Sequence, residues 1–327
     1  MSLVNSEAQP VDTENRIVAY MAPGQNIKDD SWKDGIELLE EPGTEAIYAK
    51  VMEATGVNVV EVCGRDEPVT DPGEIQPATY AIGYAHSEAL KSRGVTPDLL
   101  ICFSACEILM SAINRSVTLE EGAAIARRRG VLQSQIAGGT GGGVAVIYKR
   151  PLHLRKVKNA IRGIEGVHFA GKITPMMSTF GYRHGSREEL ESSLSNVEGV
   201  RRIIDIPNLN FGLHGPDMEK VREGLAEFLA ARKIKFKDGL VPQLATRTAR
   251  LNTKGQTIMH NFIWQTDNPI KFEDAMMKSI RLGINDYYDL GPGDTMADLM
   301  RNFPLGEDVR INPVKVLARQ LEKEKTA

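Results

Sequence analysis

The run Leu99-Leu100-Ile101-Cys102-Phe103-Ser104-Ala105-Cys106-Glu107-Ile108-Leu109-Met110 decides how the rest of the chain is read. Three large apolar residues give way to small ones around a single serine, and helical spacing begins at once. A buried strand that turns directly into a helix lifts the side chain at the turn clear of the backbone, with free helix N–H groups behind it. The usual form of such an elbow is Gly-x-Ser-x-Gly, because strand and helix pass too closely for larger residues at the outer positions. Cys102 and Cys106 stand there instead, small but not glycine. Two readings of Ser104 are open: a nucleophile, or a buried serine capping a helix.

Upstream, Arg16 to Met21 reads as a strand that stops at Ala22-Pro23-Gly24-Gln25-Asn26, after a loose polar arm over residues 1–14. Open α/β sheets bind ligands at such carboxyl-edge turns, which makes Gln25 a candidate, with a solvated turn residue as the alternative. Thr44 to Thr55 has helical spacing with Gly56 as its stop, and Val57 to Val62 reads as a short strand or an extended connection. Pro72 opens a long helix through Lys91. Leu119 to Ala126 starts another, which delivers Arg127-Arg128-Arg129 before Gly130.

Downstream, Gly138-Gly139-Thr140-Gly141-Gly142-Gly143 lacks the Gly-Lys-Ser/Thr ending of a phosphate loop and precedes a strand, so it reads as a flexible hinge. A strand at 144–148, a basic helix near Leu152–Ile164, a strand near His168–Ile173, a helix at Arg187–Leu194 and a strand at Val200–Ile206 follow. That β-α-β-α-β order describes a small inserted unit of split β-α-β type. The main unit resumes near Asn210, with a helix over Asp217–Ala231, a strand over Leu240–Thr246, a helix over Phe272–Leu282, a strand over Ile284–Leu290 and a final helix over Val314–Lys325. The expected fold class is α/β: a hydrolase-like parallel-sheet domain from residues 1–137 and 214–327, interrupted by a small α+β domain at 138–213.

Bulk properties narrow the function. The 327 residues are 42% hydrophobic and 25% charged with net charge −3, which gives no basic excess of the kind nucleic-acid binding favours. Three cysteines, two of them flanking the serine, make no disulfide framework and fit a reducing compartment. The polar, acidic start lacks a signal sequence, and no stretch nears the roughly 18 apolar residues of a membrane span. A cytoplasmic enzyme is expected. No metal-ligand pattern stands out, and no cofactor is expected.

A serine nucleophile needs a base within hydrogen-bond reach and donors for the oxyanion. Of six histidines, His214 stands where the chain returns from the insertion, in Asn210-Phe211-Gly212-Leu213-His214-Gly215-Pro216. These motifs, in this order, resemble the acyltransferase family typified by malonyl-CoA:acyl-carrier-protein transacylase, over residues 16 to 303. The family opens with Phe-Pro-Gly-Gln-Gly, where Ala22-Pro23-Gly24-Gln25-Asn26 stands, and carries Thr-Gln-Pro-Ala, matched by Ile75-Gln76-Pro77-Ala78. Its Gly-His-Ser-Leu-Gly-Glu corresponds to Cys102-Phe103-Ser104-Ala105-Cys106-Glu107, its substrate arginine to Arg129-Gly130 and its catalytic histidine to His214. Its Asn-Pro-Val-Gln-Trp is similar to Asn268-Pro269-Ile270-Lys271-Phe272, and its Gly-Pro-Gly to Gly291-Pro292-Gly293.

The resemblance implies that the inserted domain is ferredoxin-like and that the active site lies between the two domains. It implies that Ser104 takes an acyl group, malonyl as the best single choice, from acyl-CoA, the substrate. A phosphopantetheinylated acyl carrier protein then collects it, with His214 as base and then acid. Backbone N–H groups of Gln25 and Ala105 would form the oxyanion hole, and Arg129 would hold a dicarboxylic acyl group by its far carboxylate. Gln76, Phe103, Leu213 and Lys271 join the substrate-binding set. Three departures suggest a specialised relative in polyketide or related synthesis: Phe103 replaces the histidine before the serine, Lys271 the glutamine, and Leu213 the phenylalanine or serine before the catalytic histidine. A carrier-thioester hydrolase and an inactive homologue are the alternatives. Lys149, Arg150, Arg155, Lys156, Lys158 and Arg162 make a basic face that either docks an acidic carrier or is simply solvated.

Overall fold

The structure, a computed structural model, describes residues 16–25, 29–151, 154–207 and 209–314. The expected arm at 1–14 lies outside them, as does the expected final helix apart from Val314. The first sheet is built from β1 (Val18–Met21), β2 (Leu99–Ile101), β7 (Gln243–Ala245), β8 (Arg250–Asn252), β10 (Asp286–Asp289) and β11 (Arg310–Pro313), in the order β11-β10-β1-β2-β7-β8. All neighbours are parallel except β8, which turns back on β7. The central strands are apolar on both faces because both are covered. Tyr20 and Leu100 enter one hydrophobic cluster, while Ala19, Met21, Leu99 and Ile101 enter the other.

The covering helices carry their own start signals. Asp71 Oδ1 accepts from the Gly73 N–H at 2.9 Å at the head of Pro72–Ser92. Thr118 and Glu121 form a reciprocal capping box at the head of Leu119–Leu132. These two helices press together at Gly130, where any Cβ would collide with the Pro72 carbonyl. That contact fixes the approach of the helix that carries buried Arg129.

The second sheet holds β3 (Gly141–Tyr148), β4 (Val167–Thr174), β5 (Met177–Arg183), β6 (Val200–Asp205) and β9 (Ile270–Lys271), in the order β6-β3-β5-β4-β9. The helices Leu154–Ala160 and Arg187–Ser195 belong to the same unit. Val144, Val146, Tyr148, Phe180, Leu190 and Leu194 are among the residues of a third hydrophobic cluster there. The element order is therefore β-α-β-β-α-β, one strand more than the sequence reading expected. The missing strand, β5, follows β4 after only Pro175 and Met176, with no glycine-rich turn to mark the break.

Three further expectations are corrected. Gly141, Gly142 and Gly143 are not a hinge but the first residues of β3, paired with Arg183, Tyr182 and Gly181. Side chains at 141 and 142 would strike the Tyr182 carbonyl and ring, which explains glycine there without flexibility. Val59–Cys63 is a short helix rather than a strand, because Asn58 Oδ1 accepts from the Glu61 N–H at 3.3 Å and caps it. Finally, β9 joins the second sheet in parallel with β4, from a segment well beyond residue 213.

Candidate active site

Backbone geometry makes the elbow. Phe103 is extended, Ser104 adopts φ +54°, and one tight turn over Ser104–Cys106 leads into the helix Glu107–Ile113. A left-handed serine at a strand-to-helix turn is strained, and such strain gathers at functional sites. Cys106 Sγ accepts from the Phe103 N–H at 3.0 Å, so the cysteine braces the turn where a glycine would only fit it. Cys102 and Cys106 are buried, and burial pushes the Cys106 thiol up to about 12, so neither is a competing nucleophile. Gly24, at the turn after β1, approaches so closely that a Cβ there would lie 3.3 Å from the Ser104 Cβ.

Ser104 Oγ lies 2.9 Å from His214 Nε2. On the far side of the ring, Nδ1–H donates to the Gln265 carbonyl at 2.6 Å, which leaves Nε2 as the acceptor for the serine hydroxyl. Gln265 also donates through Nε2 to the Ser104 carbonyl at 2.7 Å, tying both partners to one residue. Burial lowers the His214 pKa to about 4, with the Arg129 and His168 charges acting in the same direction and the Gln265 carbonyl opposing them. The imidazole is neutral at pH 7 and able to take a proton. His214 itself sits at φ +45°. The peptide before it is pinned because His168, on β4, bonds through Nε2 to the Leu213 carbonyl at 2.7 Å. The His168 ring fits there because Gly181, Gly212 and Gly215 surround it without side chains.

Arg129 is 2% exposed, donates Nη1–H to Gln76 Oε1 at 3.1 Å and leaves its Nε without an acceptor. Gln76 in turn donates Nε2–H to Gln25 Oε1 at 2.8 Å. Burial lowers the Arg129 pKa to about 10 and raises that of buried Glu107 to about 8, while the two charges partly offset those shifts.

Ser104, His214, Gln25, Arg129 and Leu213 line one narrow cleft, together with Phe211 and Met218. Gln76 stands behind Arg129, and Ala105 is buried beside the serine. Phe103 packs instead against Phe272, ring centroids 4.6 Å apart. Lys271 is not brought to this cleft. Strand alternation in β9 turns Ile270 inward and leaves Lys271 exposed, on the wall of a different cleft. Gln265, Glu107 and His168 were given no role by sequence reasoning. Gln265 is three residues ahead of the Asn268-Pro269 motif, and only its main-chain oxygen and side-chain amide, meeting in space, reveal it.

Among the described residues no group of His, Cys, Asp and Glu is arranged to hold a metal ion, and no helix is long and apolar enough to cross a membrane. The family model described as "Acyl transferase domain" matches residues 37–289. The malonyl CoA-acyl carrier protein transacylase of Bacillus subtilis is 24% identical over 294 residues, covering 87% of this chain and 89% of that protein. A mycocerosic acid synthase-like polyketide synthase of Mycolicibacterium smegmatis is also 24% identical, over 98% of this chain, which spans only 15% of that much longer protein. Among solved structures, the malonyl-CoA:ACP transacylase of Synechocystis superposes with a TM-score of 0.80 at 22% identity, over 90% of this chain and 96% of that one. The transacylase of Coxiella burnetii superposes with a TM-score of 0.83 at 18% identity, over 95% and 97% of the respective chains. With the match spanning most of its length, the chain belongs to the acyl transferase domain family.

Proposed function

We propose that this protein moves a malonyl group from CoA to the phosphopantetheine thiol of an acyl carrier protein, in fatty-acid or polyketide synthesis. The observation that carries the reading is the relay Ser104 Oγ–His214 Nε2, Nδ1–H to the Gln265 carbonyl, beside a buried arginine. Relatives named as transacylases and as polyketide synthases support it.

In the first half-reaction His214 Nε2 takes the Ser104 proton as Oγ attacks the thioester carbon. The backbone N–H groups of Gln25 and Ala105 meet the oxyanion, an interaction whose loss typically costs ~10²–10³ in rate. The C–S bond then breaks, and the CoA sulfur leaves with the proton that the imidazolium held. In the second half the carrier thiol gives its proton to His214, its sulfur attacks the ester, and Ser104 recovers its hydroxyl. The Gln265 carbonyl supports the imidazolium that forms within each half, where other serine sites use a carboxylate. Arg129, with Nε unpartnered, offers a two-pronged bond to the malonyl carboxylate. The same reading treats residues 138–213 as a ferredoxin-like domain set into a hydrolase-like domain of residues 1–137 and 214–327, in a cytoplasmic enzyme without cofactor. The β6-β3-β5-β4 order of the second sheet supports the ferredoxin-like description.

Intact-protein mass spectrometry after incubation with malonyl-CoA tests this. The expected result is a malonyl adduct that is absent in Ser104→Ala and is chased by holo carrier protein. An adduct lost to water as fast as to carrier would make the protein a hydrolase, and no adduct from any acyl-CoA would remove the enzymatic reading.

A further inference from the structure

The hydrogen bond that orients the base is backed by a second one. His214 Nδ1–H bonds to a main-chain oxygen, so the place of that oxygen depends on the backbone around Gln265 and not on a rotamer. Gln265 directly follows the helix Gly255–Trp264, and its N–H donates to the Asn261 carbonyl at 2.9 Å. The Gln265 carbonyl shares one planar peptide with the Thr266 N–H, which donates to the Ile263 carbonyl at 3.2 Å. Asn268 Nδ2–H donates to the Trp264 carbonyl at 2.9 Å and closes the turn.

Arg222, on the helix Glu219–Ala231 that follows His214, grips both flanks of this peptide. Its guanidinium carbon lies 4.5 Å from the centre of the Trp264 ring, and its Nε–H donates to Asp267 Oδ2 at 2.7 Å. The other Asp267 oxygen accepts from Asn268 Nδ2 at 2.7 Å, so the carboxylate is held on both sides. The Arg222 and Asp267 side chains are 15% and 10% exposed, which screens this pair less than the contacts of Arg222 with Glu219 and Glu223, both largely exposed. Trp264 and Asp267 flank Gln265 and Thr266. A frame closes as a result: His214 meets Gln265 at one corner, and Arg222 meets Asp267 at the other. Resting on the acyl-transfer reading, we infer that Arg222 is a positioning residue for the reaction, holding the Gln265 carbonyl where it keeps His214 Nε2 on the Ser104 hydroxyl. Arg222 acts from outside the cleft, through the turn alone.

NMR of the imidazole N–H groups in the full chain tests the frame without substrate. The wild type is expected to show a His214 Nδ1–H resonance, assigned by its loss in His214→Ala and shielded from water by the 2.6 Å bond. In Arg222→Ala and in Asp267→Ala it is expected to shift or to vanish by exchange. The resonance of buried His86, whose Nδ1 lies 2.8 Å from the Leu290 carbonyl, should stay in place and report an intact fold. Loading of Ser104 at saturating malonyl-CoA should fall ~10-fold in Arg222→Ala with KM unchanged, less than the ~10²-fold that a 1 Å misplacement costs. Arg222→Lys, with a charge still in reach of Asp267, should lose less. A plain tie between two helices would lower the melting temperature yet leave the His214 resonance and the saturated rate as in the wild type, and that result overturns the proposal. So does a wild type without the resonance, or a variant whose only change is a raised KM. If Ser104 takes no acyl group yet the resonance responds as expected, the transfer reading falls and the frame stands.

Discussion

Arg129 holds a full charge almost out of reach of water, with one glutamine oxygen for company and one donor idle. A buried cation so poorly matched is at rest only when an anion arrives. Arg129→Ala is therefore expected to slow malonyl loading by about 10²-fold, the worth of a charge-assisted carboxylate pair. Acetyl loading should change little, because acetyl has no second carboxylate. Equal losses for the two donors, measured by adduct formation, would sink the carboxylate role. His214 gives the second prediction at this scale. Its pKa is lowered from 6.5 to about 4, so the base stays neutral well below pH 6.5. The acid limb of kcat/KM for loading should fall toward pH 4, and a limb at 6.5 or above would contradict the buried, neutral imidazole. The sign for stability follows. The unfolded chain protonates this histidine first, so its contribution is present above pH 6.5 and is lost as pH falls toward 4. Ser104, His214, Gln25 and Arg129 were singled out by motifs of the family the chain resembles, and the structure lines one cleft with them. Gln265 was not, since a backbone oxygen leaves no mark in a sequence.

Among the elements, β3 shows how local chemistry misleads. Consecutive glycines read as slack chain, yet here they let three residues lie flat against β5, with Tyr182 at the first two and Leu209 at the third filling the space that side chains would claim. Gly141→Ala should lower the melting temperature, with an overpacking cost of about 1–3 kcal/mol, because the obstacle is a backbone carbonyl that cannot rotate away. A hinge would accept the same change without loss, so an unaltered melting curve would restore that reading. Pro72 made the first of the covering helices legible, while the caps Asp71 and Thr118, whose side-chain oxygens take the first free N–H groups, went unread. The β4–β5 hairpin was hidden because Pro175 and Met176 separate two apolar stretches without the Asn-Gly or Gly-rich signal of a tight turn.

At the scale of the whole chain, strand-helix alternation identified the parallel sheet correctly, because the central strands Val18–Met21 and Leu99–Ile101, covered on both faces, stand out as apolar runs. What alternation could not supply was the partnership between distant segments. Two residues at 270 and 271 join a sheet whose other strands end at 205, and that pairing depends on how two units meet. A lobe held to its body by two covalent crossings alone can swing like a jaw. Here a short hydrogen-bonded seam at β9 adds a tether away from those crossings, which opposes such a swing. On the acyl-transfer reading, a long, flexible donor then enters between lobes already joined, and selection falls on the shape and charge of the entrance.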